Sequence, residues 1–236
     1  MAYQMTFKRY ELKYLLTHRE KENILNTMKG RMKLDSYGRV TIRNIYFDTE
    51  TFRLIRRSLE KPVYKEKLRI RSYGPVKEGD TVFVELKKKY KSVVYKRRLL
   101  LPEKEVMDSF QKGIPLPVDS QIGKEIQYFR DYYGKLVPAV LLSYEREAFY
   151  ALDGSDFRVT FDDNILYRRN DMAPMSEIYG IPLIGGSQSL MEIKTSGGIP
   201  LWMSRVLSKN HIYQSSFSKY GFAYRQMMTE DMQGGS

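Results

Sequence analysis

The sequence predicts an α+β protein built on an eight-stranded antiparallel β-barrel with helices on its periphery. About eight segments alternate polar and apolar residues with the period of two that is typical of strands, and short turns join most of them. Helical patterns occur early, in the middle and at the end of the chain, rather than between every pair of strands. Antiparallel meanders of this number often close into barrels.

The strand predictions follow from this alternation in order along the chain. They cover residues 6–16, 40–48, 65–73, 81–90, 92–101, 137–152, 157–169 and 189–197. Gly74-Pro75 and Gly79-Asp80 are strong turn signals between the third and fourth of these segments. We therefore expect neighbouring strands to run antiparallel.

The helix predictions rest on capping residues and on apolar stripes at helical spacing. Thr17 and Glu20 form a capping box, in which the hydroxyl and the carboxylate satisfy free backbone donors at a helix start. Apolar residues at helical spacing predict further helices at 103–112, at 120–133 and from residue 200 onward. The segment after residue 48 predicts a short helix or turn.

Length and composition limit the class of protein. The 236 residues contain no linker or repeat, so we predict a single domain over 1–236 with a flexible tail after about residue 230. The absence of cysteine excludes disulfides, thiolate zinc sites and a cysteine nucleophile. The chain also shows no signal-peptide pattern and no apolar run near the roughly 18 residues of a membrane span. These features predict a cytoplasmic protein without a membrane span.

Positive charge is concentrated in one part of the chain. The net charge is +12, and residues 65–98 hold twelve Lys or Arg and four Asp or Glu. Lys67, Arg69 and Arg71 share one face of a predicted strand, because strand side chains alternate sides. Such a field attracts anions, whether phosphates, nucleic acid or anionic lipid.

A Glu-x-Lys motif recurs on three predicted strands. Its members are Glu11 and Lys13, Glu85 and Lys87, and Glu192 and Lys194. Carboxylates bind divalent cations, and lysine and arginine bind phosphate oxygens. Rows of both kinds in one lumen would bind a metal-complexed polyphosphate. Salt bridges between strands on a solvated face explain the same spacing, so spacing alone leaves both interpretations open.

Nine short segments follow one another along the chain: FKRYELKYLL, YFDT, KLRIRSYG, VFVELKKKY, YKRR, SYEREAF, RVTFDDN, MEIK and FSKYGFAY. Together, over about residues 5–225, they resemble the VTC domain family of the triphosphate tunnel metalloenzymes. The resemblance implies an eight-stranded tunnel with a basic lumen. It also implies a polyphosphate polymerase that moves the γ-phosphoryl group of a nucleoside triphosphate onto a growing chain.

The resemblance implies roles for residues at matching positions. The catalytic residues would be Arg69, Arg71, Lys87, Arg146 and Arg158. The substrate-binding residues would be Lys13, Lys96 and Lys219, and Lys194 joins them through its Glu-x-Lys motif. Within YKRR, Lys96 is chosen over Arg98, although both share a face. Glu192, with Glu11 and Glu85, would hold Mg²⁺ or Mn²⁺, and Asp162 and Asp163 either add ligands or shape a turn.

Several functions stay open at this point. The polymerase is one, and a metal-dependent triphosphatase that passes the γ-phosphate to water in the same tunnel is another. A non-catalytic module that binds polyphosphate or another polyanion is a third. Specific nucleic-acid binding lacks its usual sequence signatures. The expected partners are thus a nucleoside triphosphate and polyphosphate, and the sequence does not identify a protein partner.

Overall fold

The computed structural model describes residues 10–91 and 93–234. They divide into two compact units. Unit 1 comprises residues 10–40, 144–165 and 184–217, and unit 2 comprises 41–91, 93–143, 166–183 and 218–234. That residues 1–236 form a single domain therefore stays a prediction.

The described residues form ten strands and six helices. The strands are β1 (Tyr10–Thr17), β2 (Met32–Leu34), β3 (Val40–Asp48), β4 (Tyr64–Tyr73), β5 (Thr81–Tyr90), β6 (Val93–Pro102), β7 (Val137–Ala151), β8 (Arg158–Arg168), β9 (Ile181–Pro182) and β10 (Gln188–Thr195). The helices are α1 (His18–Met28), α2 (Arg53–Leu59), α3 (Glu103–Lys112), α4 (Gln121–Tyr133), α5 (Leu201–Lys209) and α6 (Lys219–Gly234).

All eight predicted strands are present, as β1, β3 to β8 and β10, and the α+β class is confirmed. The additional strands β2 and β9 are three and two residues long, which is too short for a period of two to be recognised. Residues 6–9 and Ser92, which the predictions included, lie outside the described residues.

The helix predictions are also confirmed. In the capping box of α1, the Thr17 amide donates to Glu20 Oε2 at 2.7 Å and the Glu20 amide donates to Thr17 Oγ1 at 3.3 Å. Helices α3 and α4 lie within a residue of their predicted bounds, and the helical C-terminal region consists of α5 and α6. No helix in the described part of the chain has the length and apolarity to span a bilayer.

Unit 1 contains the strand order β1-β10-β8-β7. In addition, β2 pairs with the C-terminal end of β7, at residues 149–151. The apolar side chains of one sheet face pack against α1 and α5, and Phe161, Met191 and Met203 are fully buried there. The opposite face carries charged residues. Because a strand alternates its side chains, burial of one face leaves the charges together on the other.

Unit 2 contains the order β7-β3-β4-β5-β6, and β9 pairs with the end of β8. Leu68, Val84 and Leu86 are fully buried on one face and belong to a core that α3 and α4 also line. The outermost strands of the two runs are β1 and β6, so the described ladders are open and do not close the predicted barrel.

Candidate functional site

One face of the β4–β5–β6 ladder in unit 2 carries eight cations and is called the basic face below. They are Lys65, Lys67, Arg69, Arg71, Lys87, Lys89, Lys96 and Arg98. Antiparallel partners share a face, and the register sets them in rows across the three strands. One row contains Lys67, Lys87 and Lys96, and the next contains Arg69, Glu85 and Arg98.

The Glu85 carboxylate is in contact with four cations of the basic face. It is 1% exposed, and Arg69 Nε donates to its Oε2 at 2.8 Å. Lys96 Nζ lies 2.6 Å and Arg98 Nε 2.7 Å from its Oε1, while Arg71 Nε lies 3.8 Å from Oε2. Burial alone would raise the pKa of Glu85, but Arg69, Arg71 and Lys96 outweigh it and hold the pKa below its ordinary value. Glu85 is therefore ionised and fixes four cations.

The two arginines of β4 have further partners on β3. Arg69 Nη1 donates to the Tyr46 hydroxyl at 2.8 Å, and Arg71 Nε donates to Asn44 Oδ1 at 2.9 Å. The Tyr46 ring stacks on that of Tyr220 with centroids 4.8 Å apart. These contacts hold both guanidinium groups in place before any ligand arrives, which lowers the entropy cost of binding.

Lys96 is the most exposed of the four cations that contact Glu85, with 41% of its side chain accessible. Burial lowers its pKa to about 8, and Arg98 and Arg71 act in the same direction, although Glu85 opposes them. Lys67 Nζ, in the same row, donates to Ser218 Oγ at 3.0 Å. Lys96 therefore changes its charge close to neutral pH.

A second charged face lies in unit 1 and is called the mixed face. The register places Glu11 opposite Lys194 and Lys13 opposite Glu192. Lys13 Nζ lies 3.3 Å from Glu11 Oε1 and 3.5 Å from Glu192 Oε1. Lys194 Nζ lies 3.6 Å from Glu192 Oε2. Carboxylates and ammonium groups thus alternate on this face.

Arg146 joins the mixed face through a bidentate pair with Asp162. Its Nε and Nη2 donate to the two carboxylate oxygens at 2.5 and 2.6 Å, and Nη2 lies 3.6 Å from Glu192 Oε2. Burial would lower the pKa of Arg146, but Asp162 outweighs it and raises the pKa well above its ordinary value. Asp162 lies inside β8 and not in a turn, so the turn-shaping alternative is wrong for it.

Arg158 is placed differently. Its guanidinium lies 4.6 Å from the centroid of the Tyr150 ring, and its Nε is buried without a hydrogen-bond partner. A buried donor without an acceptor is costly. Arg158 lies opposite Lys194 in the register, so its side chain belongs to the mixed face.

A sequence model of the VTC domain matches residues 8–228, which is nearly the whole chain. The chain belongs to the VTC domain family. Among curated proteins, no match was found.

Solved structures resemble the VTC-family chain in fold. A "putative adenylate cyclase" from Bacillus halodurans has a TM-score of 0.55 at 16% identity, over 91% of this chain and 94% of that one. A second "putative adenylate cyclase", from Vibrio parahaemolyticus, has a TM-score of 0.49 at 11% identity, over 94% of this chain and 99% of that one. At these identities, the first likeness supports the shared fold and nothing about activity.

The carboxylates of the two faces differ in whether they could hold a divalent cation. Among the described residues there is no group of three or more Asp, Glu, His or Cys placed to hold a metal. Mg²⁺, however, is usually held by one or two carboxylates together with substrate phosphates. Glu11 and Glu192 both approach Lys13 Nζ, and they fit that arrangement. Glu85 does not, because Arg69, Lys96 and Arg98 lie 2.6 to 2.8 Å from its oxygens and a metal would have to displace these hydrogen bonds. The ion pairs of Glu192 are longer, at 3.5 to 3.6 Å.

The structure brings most predicted site residues together within each unit. The basic face holds Arg69, Arg71, Lys87, Lys96 and Glu85, and the mixed face holds Glu11, Lys13, Arg146, Arg158, Glu192 and Lys194. Lys219 lies at the first residue of α6. Their roles stay predictions. Arg98 and Tyr46 were not among the predicted site residues, and Asp162 was predicted only as either a metal ligand or a turn residue. The period-two spacing of Lys96 and Arg98 was the available signal for Arg98.

Proposed function

We propose that this VTC-family chain is a metal-dependent polyphosphate polymerase. It transfers the γ-phosphoryl group of a nucleoside triphosphate to the end of a polyphosphate chain. The observation that carries this proposal is the length of the basic face. From Lys65 to Arg71 the face extends over seven residues of β4, or about 20 Å at the usual strand rise. A triphosphate alone is much shorter, so the outer cations favour a longer polyanion.

The side chains of the basic face suit phosphoryl transfer. Such a transfer requires alignment and neutralisation of charge more than covalent catalysis. Arg69 and Arg71, held by β3, are proposed to bind non-bridging oxygens and to stabilise the charge that develops on the transferring group. Lys87 and Lys96 are proposed to hold the neighbouring phosphates. Guanidinium forks match phosphate oxygens in pairs, which orients the group.

The proposed reaction needs no nucleophilic side chain. A terminal oxygen of the acceptor chain attacks the γ-phosphorus, and the bond from the γ-phosphorus to the β,γ-bridging oxygen breaks. That oxygen leaves with the nucleoside diphosphate, and the acceptor is longer by one phosphoanhydride. The acceptor oxygen is already ionised near neutral pH, so no general base is required.

For the mixed face we propose roles in metal and phosphate binding. Glu192 and Glu11 would hold Mg²⁺ or Mn²⁺, which supplies charge neutralisation to phosphate oxygens when bound. Lys13, Lys194, Arg146 and Arg158 are proposed phosphate ligands. The position of Arg158 opposite Lys194 on the mixed face supports this role. Lys219 in unit 2 is also proposed to bind phosphate.

The proposed compartment is the cytoplasm. A chain without cysteine is compatible with reducing conditions, and nucleoside triphosphates are intracellular metabolites. The proposed partners are therefore small phosphates and their polymer.

The proposal is tested by following ³¹P NMR signals of the pure protein with ATP and Mn²⁺ or Mg²⁺. Growth of an internal-phosphate signal together with ADP is expected. Orthophosphate without a chain signal would instead identify a triphosphatase. Saturable tripolyphosphate binding without turnover would leave a binding module. Heat-denatured protein under the same conditions provides the background rate.

Glu192→Gln tests the metal assignment. We expect it to abolish metal-dependent turnover and to weaken Mn²⁺ binding, measured by electron paramagnetic resonance with tripolyphosphate present. Metal-free tripolyphosphate binding should persist. Glu147→Gln is the matched control in the same unit, because Glu147 pairs with Lys21 and Arg39. Unaltered turnover of Glu192→Gln would remove Glu192 from the metal site.

A further inference from the structure

The basic face changes character along its length. Lys65 and Lys89 form the row at one end, and the rows of lysine and arginine follow. At the other end Arg71 lies opposite Phe83, and Phe83 lies opposite Leu100. Tyr73 comes next on the same face of β4. The cations thus give way to an aromatic and apolar surface within one ladder.

The side chains at this end form a defined cluster. The rings of Tyr73 and Phe83 meet edge to face, with centroids 5.8 Å apart and planes at 87°. The guanidinium of Arg98 covers Phe83 at 4.2 Å from its centroid and donates to the Tyr73 hydroxyl at 3.4 Å. Tyr73 is 48% exposed and Leu100 55% exposed. Tyr73 and Leu100 therefore offer exposed aromatic and apolar surface beside Phe83, next to arginines that are already placed.

We propose that Tyr73, Phe83 and Leu100 form the subsite for the base of the nucleoside triphosphate. This inference rests on the proposed function. A nucleoside triphosphate has the same polarity as the face, with anionic phosphates at one end and a planar base at the other. From Arg69 to Tyr73 the strand rises by about 13 Å, which leaves room for the sugar between the phosphates and the base. Aromatic stacking accepts any base, because every base has a π-face.

The subsite also sets an orientation for the substrate. With the base on Tyr73, the γ-phosphate points toward the row of Lys67, Lys87 and Lys96. The growing chain then lies toward Lys65 and Lys89 at the far end of the face. The nucleotide and the product therefore occupy opposite ends of the same ladder.

The test compares ATP with inorganic tripolyphosphate by isothermal titration calorimetry without metal. Tyr73→Ala is expected to weaken ATP binding about tenfold, the loss of one base–aromatic stack. Its tripolyphosphate binding should change less than about twofold, because that ligand has no base. Tyr73→Phe should retain ATP binding, since it keeps the ring and removes only the hydroxyl.

Two further variants complete the comparison. Tyr90→Ala is the matched control, because Tyr90 is also 48% exposed but lies on the other face of the ladder, and it should leave both affinities unchanged. Leu100→Ala removes a second, well-exposed part of the subsite. It should weaken the binding of ATP but not of tripolyphosphate, and by a smaller factor than Tyr73→Ala does. It also keeps the test informative if Tyr73→Ala folds poorly.

Several results would overturn the subsite. Equal weakening of ATP and tripolyphosphate by Tyr73→Ala would mean that Tyr73 acts through Arg71 and Arg98, and unchanged ATP binding would exclude it as a stacking partner. A wild-type protein that binds neither ligand would overturn both the subsite and the proposed function. Selective loss of ATP without any polymer in the NMR assay would support the subsite and reject only the polymerase.

Discussion

In the absence of a ligand, Glu85 stabilises the cluster of cations on the basic face. The four cations on β4 and β6 would repel one another, and the buried carboxylate of Glu85 on β5 between them offsets that repulsion. A carboxylate held by so many donors is also a poor metal ligand, because a metal would have to displace them. We therefore infer that Glu85 positions the phosphate-binding side chains and that the metal role belongs to other glutamates.

Glu85→Gln is expected to lower the free energy of unfolding by about 3 kcal/mol at pH 7, as removal of one partner from a buried ion pair does. Urea denaturation measures this change. Because the folded-state pKa of Glu85 is lowered, its contribution is present above the ordinary glutamate pKa and is lost as the pH falls below about 4. The wild type should lose this stability on acidification, and the variant should not.

The control for this measurement is Glu50→Gln. Glu50 pairs with Lys135 at 2.8 Å, and both side chains are largely exposed, so Glu50→Gln should change the free energy of unfolding far less than Glu85→Gln does. If Glu85→Gln instead preserved stability and weakened Mn²⁺ binding, Glu85 would be a metal ligand after all.

Lys96 gives the basic face a dependence on pH near neutrality. Its pKa of about 8 means that the ammonium charge is lost as the pH rises from 7 to 9. The affinity of the wild type for tripolyphosphate should fall over this range relative to that of Lys96→Arg, whose charge persists. Calorimetry at several pH values measures the ratio of the two affinities. That ratio cancels titration of the ligand, and a constant ratio would exclude Lys96 from binding.

At the scale of elements, the strands and helices could be predicted because their residues carry local signals. The strand β5 alternates Val82, Val84 and Leu86 with polar residues, and only one face of it can be buried. The capping box of Thr17 and Glu20 is likewise a contact between near neighbours. Such patterns require no knowledge of the tertiary structure.

The candidate site could be predicted only in part, because its contacts depend on register between strands. Spacing placed Lys96 and Arg98 on one face, but only the pairing of β5 with β6 places Arg98 opposite Glu85. Asp162 read locally as a turn residue, whereas its partner Arg146 lies on another strand. The stacking of Tyr46 on Tyr220 joins residues far apart in the chain, and no local signal predicts it.

The β4–β5 ladder yields a prediction about the length of the ligand. Lys89→Gln, at the Lys65 end, should weaken binding of long polyphosphate several-fold and reduce its salt dependence by about one released counterion. Its affinity for ATP should not change, because the nucleotide occupies the other end. Lys88→Gln is the control, since Lys88 lies on the opposite face, with Nζ 3.9 Å from Glu66. Equal weakening of ATP by Lys89→Gln would contradict this division of the face.

At the scale of the whole molecule, the net charge of +12 would attract any polyanion. Specificity must come from access to the cations. Arg71 is 6% exposed, and the side chain of Arg69 is 18% exposed. The sugar–phosphate backbone of a duplex is bulky and regular, so few of its phosphates can approach such recessed groups. An unbranched polyphosphate has no such obstacle.

Competition against fluorescently labelled polyphosphate measures this selectivity. Unlabelled polyphosphate should displace the label at a concentration at least about tenfold lower than duplex DNA with the same phosphate content, at physiological salt where exposed charges are screened. Fluorescence anisotropy gives both displacement curves. Arg69→Ala should reduce the difference between the displacing concentrations of polyphosphate and DNA, because it removes a recessed cation and leaves the exposed ones. Equal displacement by both polymers would mean that the basic face is a nonspecific field, and the preference for polyphosphate would have to be abandoned.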